Sequence, residues 1–313
     1  MKVIVTGATG FIGSAVVRQL LEGGHQVCAV VRPGSKNLPH LMANVPQEKT
    51  EDFQLIELHM AEIARLPEKV NPSASTWDAM VHMGWDGAGS DNRTKRDVQQ
   101  MNIRYSLDAV RVAARLGCSR FLFTGSQAEY GVHHQLISEE MECHPVSEYG
   151  KAKVEFANQA KSLCKILKME YIHTRIFSVY GPGDHPWSLV HTCLRTWQQG
   201  GGMKLGECTQ KWNFLYIEDA AEALIALLTA GKGGVYNVAG EDTRVLREYI
   251  EEMYALCGSR GSYVYGERPQ NAEGPADLMP DISKICGETG WRPVTSFAEG
   301  IYETMHSLRE GTA

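Results

Sequence analysis

The stretch that decides the fold is Lys2-Val-Ile-Val-Thr-Gly-Ala-Thr-Gly-Phe-Ile-Gly13. Its β-branched run Val3-Ile4-Val5 stops at three glycines spaced by three, Gly7, Gly10 and Gly13. Ala15, Val16, Val17, Leu20 and Leu21 then supply the apolar face of a helix. A strand that ends in glycines and turns into a helix brings backbone N–H groups close to a phosphate, and the helix N-terminus adds partial positive charge. The spacing is G-x-x-G-x-x-G rather than the G-x-G-x-x-G of the common dinucleotide fingerprint. Read by itself, it predicts a phosphate cradle at the start of the chain.

Beyond the loop, strand-like runs alternate with helical ones. Gln26–Val31, Phe53–Leu58, Ala79–His82, Arg120–Thr124, Glu170–Arg175 and a later run over 233–238 read as strands. Helical patterns cover Asn102–Leu116, Tyr149–Leu167 and Asp219–Ala230. Strands separated by helices predict an α/β protein, a Rossmann-type doubly wound parallel sheet whose ligands lie at the carboxyl ends of the strands. Gly200-Gly-Gly202 reads as a loop. The expected division is a dinucleotide-binding domain over 1–177 and about 212–240, with a smaller, mainly C-terminal substrate-binding lobe over about 178–211 and 241–313.

Bulk properties narrow the class. In 313 residues, 37 Asp plus Glu stand against 31 Lys plus Arg, which argues against a nucleic-acid binder relying on global charge. No apolar run reaches the length of a membrane span, and no charged-then-apolar leader precedes the first strand, so a cytoplasmic protein is expected. Eight cysteines are scattered singly, the pattern of reduced thiols rather than of disulfides or zinc. His82, His133, His134 and His185 match no metal-ligand spacing and read as surface or loop histidines, with no metal expected.

Tyr149 and Lys153 stand four apart in Tyr149-Gly-Lys-Ala-Lys153, one turn apart on one helix face. A nearby ammonium favours the phenolate, which suits a tyrosine to exchange a proton near neutrality. Ser126, just past the fifth strand in Thr124-Gly-Ser-Gln-Ala-Glu-Tyr-Gly131, reads either as a partner for a substrate oxygen or as a turn and helix cap.

Together these residues resemble the extended branch of the short-chain dehydrogenase/reductase superfamily, the nucleotide-sugar epimerases, dehydratases and 4-ketoreductases. The resemblance runs through Asn102, through Arg175-Ile-Phe-Ser-Val-Tyr-Gly-Pro-Gly183, and into Asp281-Ile-Ser-Lys284 and Gly290-Trp-Arg-Pro293. It implies an enzyme in which Tyr149 is the general acid/base, Lys153 lowers its pKa and holds the nicotinamide ribose, and Ser126 orients the reacting oxygen. It also implies a dinucleotide held by Gly7, Gly10, Phe11, Ile12, Gly13, His82, Met83, Gly84, Asn102, Thr124, Tyr149, Lys153 and Phe177. A homodimer, pairing the helices that carry Asn102 and Tyr149, is implied as well.

Departures from the family pattern sharpen this reading. Where an acidic residue would accept from a ribose 2′-hydroxyl, this chain has Arg32, Ser35 and Lys36, which suit a 2′-phosphate and favour NADP(H) over NAD(H). Gln127 and Ala128 stand where the dehydratases carry Asp-Glu, which argues against dehydration. Glu129, usually an apolar position, is a displaced acid, a substrate contact or a buried hydrogen-bonded carboxylate. Arg268 matches one of two diphosphate-clamping arginines. Trp212 falls at the other and is either a stacking surface for a base or sugar, or core. Ser178 replaces the usual asparagine, and His59 an aspartate near adenine. The expected substrate is a nucleotide-diphosphate hexose, touched by Ser126, Gln127, Glu129, Ser178, Trp212 and Arg268. Two further readings are a reductase of a smaller carbonyl compound and a non-catalytic dinucleotide sensor.

Overall fold

A computed structural model describes residues 1–70, 76–88, 92–268 and 276–310. Twelve strands are described: β1 Lys2–Thr6, β2 Gln26–Val31, β3 Phe53–Glu57, β4 Ala79–His82, β5 Arg120–Ser126, β6 Glu170–Ile176, β7 Ser178–Tyr180, β8 Gly202–Lys204, β9 Lys211–Tyr216, β10 Gly234–Val238, β11 Thr243–Val245 and β12 Ser262–Val264. The helices are α1 Phe11–Glu22, α2 Leu38–Ala43, α3 Leu66–Lys69, α4 Arg96–Arg115, α5 Glu148–Ile166, α6 Leu189–Gln198, α7 Ile217–Ala230, α8 Leu246–Leu256, α9 Ser283–Thr289 and α10 Phe297–Glu310.

Seven strands form one parallel sheet in the order β10-β6-β5-β4-β1-β2-β3. The order reverses at β1, the switch point at which doubly wound sheets open a crevice for ligands. β1 shows why both faces must be covered. Val3 and Val5 enter one apolar cluster with Val16, Leu20 and Leu224, while Ile4 enters a second with Val110, Phe121 and Phe156. Successive side chains of a strand point to opposite faces, so a run apolar at every position needs helices on both sides. Here α1 and α7 cover one side, α4 and α5 the other.

The remaining strands pair outside this sheet, as β11-β9-β7 and as β12-β8. β9 therefore joins strands from the segments before and after it, which the sequence reading assigns to the smaller lobe. Helix α4 begins at Arg96, ahead of the apolar pattern that starts at Asn102. In these polar first turns the buried Gln99 amide donates to Gly87 O (3.1 Å) and Asn92 O (3.0 Å), tying the helix to the loop before it, a role no periodicity reveals. Residues 200–202 are loop only up to Gly202, where β8 starts. Residues 269–275, just past Arg268, lie outside the described part.

The free edge of β10 is closed by side chains. Lys284 Nζ donates to Val235 O (2.8 Å), and Asn237 N donates to Glu139 Oε1 (2.9 Å). The fully buried Asn237 side chain accepts from Tyr130 OH (2.6 Å) and donates to Ile137 O (2.9 Å) and Asp281 O (3.0 Å). One amide thus ties the segment after β5 to the segment before α9. Replacing it leaves buried partners unpaired, so Asn237→Ala is expected to lose roughly 3 kcal/mol in urea unfolding. A loss below about 1 kcal/mol would count against this clamp.

Candidate active site

The glycine loop is fitted to its surroundings at backbone level. Gly7 has φ +70°, and a Cβ there would lie 2.8 Å from the Met83 carbonyl carbon and 2.9 Å from Gly84 N. A Cβ on Gly13 would overlap Gly7 O. Thr6 Oγ1 accepts from Met83 N and Gly84 N, each at 3.2 Å, which joins the ends of β1 and β4. Helix α1 starts at Phe11 with Gly10 as its N-cap, no side chain capping it and no acidic residue in its first turn. Its orphan N–H groups are thus available to an anion, and the cradle is one that added Cβ atoms would fill. These residues fit a dinucleotide pyrophosphate.

At the carboxyl ends of β4 and β5 the second half of the site assembles. Ser147 caps α5 by accepting from Gly150 N (3.2 Å), and Tyr149 N donates to Arg93 O (3.0 Å). Gly150 packs onto the turn after β5, since a Cβ there would lie 2.5 Å from Ala128 O. The sequence-predicted Tyr149, Lys153, Thr124 and Ser126 therefore share one neighbourhood. Lys153 is 3% exposed and its Nζ donates to Thr124 O (2.9 Å). The ammonium also lies 4.0 Å from the Trp85 ring centroid, 4.4 Å from that of Phe123 and 5.5 Å from that of Tyr149. Burial pushes its pKa down to about 7, against the pull of Glu129.

Ser126 is both a strand end and a cap. Its Oγ accepts from Ala128 N (3.2 Å), which leaves the hydroxyl hydrogen to donate elsewhere. Both of the sequence readings of Ser126 are compatible with this geometry. Gln127 is half-buried beside it. Asn102 holds the loop after β4, with Oδ1 accepting from Asp86 N (3.0 Å) and Nδ2 donating to Asp86 O (2.7 Å). Phe177 is buried and donates its N–H to Val238 O (3.0 Å).

Several expectations are corrected. His82 is neither a loop histidine nor available to a ligand through its ring. It is fully buried, with Nδ1 2.8 Å from Thr6 Oγ1 and Nε2 2.9 Å from Ser106 Oγ. Burial and the nearby Lys153 push its pKa down to about 3, so the ring is neutral. The Glu129 carboxylate is fully buried and takes three donors, Ser126 N (2.9 Å), His173 Nε2 (2.8 Å) and Arg175 Nε (3.2 Å). It is the hydrogen-bonded carboxylate of the three alternatives, not a substrate contact, and these donors hold its pKa below the ordinary value despite burial.

Trp212 is half-buried against the apolar core, 6.3 Å from the Phe214 ring, and its Nε1 is buried without a hydrogen-bond partner. Ser178 opens β7 opposite Phe214, and Arg268 is exposed with its N–H on Leu205 O (3.0 Å). Past β2, Arg32 and Lys36 are exposed, while Ser35 Oγ donates to Thr9 Oγ1 (3.0 Å) in the glycine loop. His59 is exposed beyond β3. His133 bonds Tyr130 O, His134 pairs with Asp277, and His185 stacks on Trp187. Among the described residues no three His, Cys, Asp or Glu side chains gather as a metal site.

Sequence reasoning passed over Trp85 and Arg93. The Arg93 guanidinium carbon lies 4.5 Å from the Tyr149 ring centroid, and Trp85 meets that ring edge-on. Both come from the loop between β4 and α4, which carries no motif to mark them.

The model of the NAD-dependent epimerase/dehydratase family matches residues 3–239. The chain belongs to that family. It is 26% identical over 318 residues to a Bacillus subtilis protein named as an uncharacterized UDP-glucose epimerase, YtcB, covering 96% of each. It is 24% identical over 321 residues to UDP-glucuronic acid decarboxylase 1 of Arabidopsis thaliana, covering 99% of this chain and 70% of that protein. The fold matches a Thermotoga maritima UDP-glucose 4-epimerase solved with UDP-glucose, with TM-score 0.87 and 21% identity over the whole of both chains. It also matches a Thermus thermophilus UDP-glucose 4-epimerase complexed with NAD, with TM-score 0.85, 21% identity and 99% of each chain covered. Among the described residues no helix is long and apolar enough to cross a membrane.

The neutral His82 makes stability depend on pH. Its folded pKa lies below the unfolded one, so the unfolded chain binds the extra proton. The contribution is whole above about pH 6.5 and is lost as pH falls towards 3. Between pH 7 and 4, urea-unfolding stability is expected to fall roughly 3 kcal/mol less steeply in His82→Gln than in the parent. Equal slopes would contradict a buried neutral imidazole.

Proposed function

We propose that this enzyme moves a hydride at a hydroxyl or keto carbon, C4, of a nucleotide-diphosphate hexose, with Tyr149 as its general acid/base. The observation that carries the reading is the buried Lys153 ammonium beside Tyr149 and below the Ser126 turn. A nicotinamide dinucleotide, when bound, supplies the hydride acceptor and donor. Gly7, Gly10, Phe11, Ile12 and Gly13 would hold its pyrophosphate, Met83 and Gly84 would flank it, and Lys153 would hold its nicotinamide ribose.

The protein's own groups handle the proton and the oxygen. In oxidation, Tyr149 accepts the sugar hydroxyl's proton; in reduction, it returns that proton to the oxygen. Ser126 donates its hydroxyl hydrogen to the same oxygen and fixes it in line with the phenol. Lys153 favours the phenolate through its charge, and the aromatic walls of Trp85 and Phe123 keep water from weakening that field. Ser178, Trp212 and Arg268 are proposed to line the nucleotide-sugar path.

Epimerisation and 4-keto reduction share these steps and differ in cofactor exchange. Dehydration is not proposed, because Gln127 and Ala128 carry no acid and Glu129 is committed to three donors. For the dinucleotide, exposed Arg32 and Lys36 support NADP(H), whereas solved relatives hold NAD. We also propose a homodimer through α4 and α5.

Incubation with UDP-glucose, UDP-galactose and dTDP-4-keto sugars separates the reactions. Isomer interconversion without net cofactor use means epimerase; consumption of added NADPH by a keto sugar means reductase. Tyr149→Phe is expected to lower kcat at least a hundredfold while dinucleotide affinity stays within about threefold. Unchanged turnover in that variant would overturn the role of Tyr149. NADPH binding at least tenfold tighter than NADH is expected; the reverse order removes the 2′-phosphate reading of Arg32.

A further inference from the structure

Beneath the Ser126 turn lies a charged network that neither the dinucleotide nor the substrate reading uses. Tyr171, His173 and Arg175 alternate along β6 and so share one face of the sheet. His173 Nε2 and Arg175 Nε both donate to Glu129 Oε2, and the Tyr171 hydroxyl pairs with His173 Nδ1 (3.0 Å). An ionised carboxylate can only accept, so His173 carries a hydrogen on Nε2. The other oxygen, Oε1, accepts from the backbone N–H of Ser126 (2.9 Å).

This is a capping box: the Ser126 side chain takes Ala128 N while the Glu129 side chain reaches back to Ser126 N. Such boxes ordinarily sit at a surface, where the second carboxylate oxygen meets water. Here the second oxygen is held by two cationic or polar donors from another strand, and the carboxylate is fully buried. The sequence makes room for it at one place. A Cβ on Gly125 would overlap Glu129 Oε1 and lie 2.7 Å from His173 Nε2. Gly125, Glu129, His173 and Arg175 are fitted to one another, and Gly125 directly precedes the cap residue, Ser126.

Resting on the reaction proposed above, we infer that Glu129 is a positioning residue: clamped by His173 and Arg175 in the space that Gly125 leaves, it fixes the main chain of Ser126 and so the direction of the Ser126 hydroxyl. The same carboxylate opposes the effect of burial on Lys153, two strand positions from the clamp through Thr124 O. A hydroxyl that must meet an oxygen within hydrogen-bond range loses its use when its backbone swings by a fraction of an ångström. The clamp removes that freedom without touching substrate.

Three variants test it. Glu129→Gln keeps the shape and turns an amide group towards the His173 and Arg175 donors. Glu129→Val with Arg175→Leu removes the carboxylate together with its guanidinium partner, so that neither is left buried without the other. Gly125→Ala fills the space the carboxylate occupies and is expected to speed exchange of the Ser126 amide as Glu129→Gln does. Hydrogen exchange of the Ser126 amide is measured on the protein without substrate, alongside urea unfolding. Glu129→Gln is expected to speed that exchange at least tenfold and to lower kcat at least twentyfold, with KM for UDP-glucose or a 4-keto sugar within threefold. The double variant is expected to recover the unfolding midpoint but neither the exchange protection nor kcat. Recovery of all three together would assign Glu129 a merely structural role and overturn the inference, as would unchanged exchange in a folded Glu129→Gln. If the parent protein turns over no nucleotide sugar, the proposed reaction fails, and the exchange data still decide whether the clamp exists.

Discussion

A single ammonium, that of Lys153, is placed where water cannot reach it, and much of the site follows from that. Removing an ammonium from water is costly unless its hydrogens and its charge find partners. Thr124 O takes one hydrogen, the faces of Trp85 and Phe123 receive the charge, and Glu129 lies close enough for its field to be felt. These partners come from three elements: β5 (Phe123 and Thr124), the loop after β4 (Trp85), and the turn after β5 (Glu129). Holding the lysine therefore also fixes the relative placement of those three elements. The pKa of about 7 leaves the group close to exchange at physiological pH, unlike a surface lysine.

The glycine cradle obeys a constraint of another kind. Gly7 and Met83–Gly84 touch backbone to backbone, so the distance between the ends of β1 and β4 is set by the absence of side chains. The strand, glycine turn and helix of this cradle were legible in the sequence, because glycine at fixed intervals after a β-branched run has few other uses. The seven-stranded sheet was legible for a related reason. Buried parallel strands are apolar throughout, and the alternation with helices shows directly in composition.

What escaped reading depended on polar side chains that make long-range bonds. Gln99 extends α4 beyond its apolar pattern, and Trp85 and Arg93 reach Tyr149 from a stretch without periodicity. By its spacing His82 reads as a surface or loop histidine, and by the family resemblance as a dinucleotide contact. In the fold its ring serves Thr6 and Ser106, residues 76 and 24 positions away. Glu129 had three readings, and only the register of β6 against β5 selects among them, because that register brings His173 and Arg175 beneath the turn. The short strands β7, β8, β11 and β12 are three residues each, too brief for a pattern to announce them.

The amide of Asn237 has a consequence for how the protein comes into being. It holds Tyr130, the neighbour of Glu129, together with Ile137 and Asp281. During synthesis the segment with Ser126 and Tyr149 emerges long before residue 281 exists. Contacts between such distant parts of a chain form late, and only when the intervening elements are in place. The nascent chain can therefore build its glycine cradle early while the segment beside Ser126 waits for residue 281. Order of assembly, as much as finished geometry, would keep an incomplete chain from working.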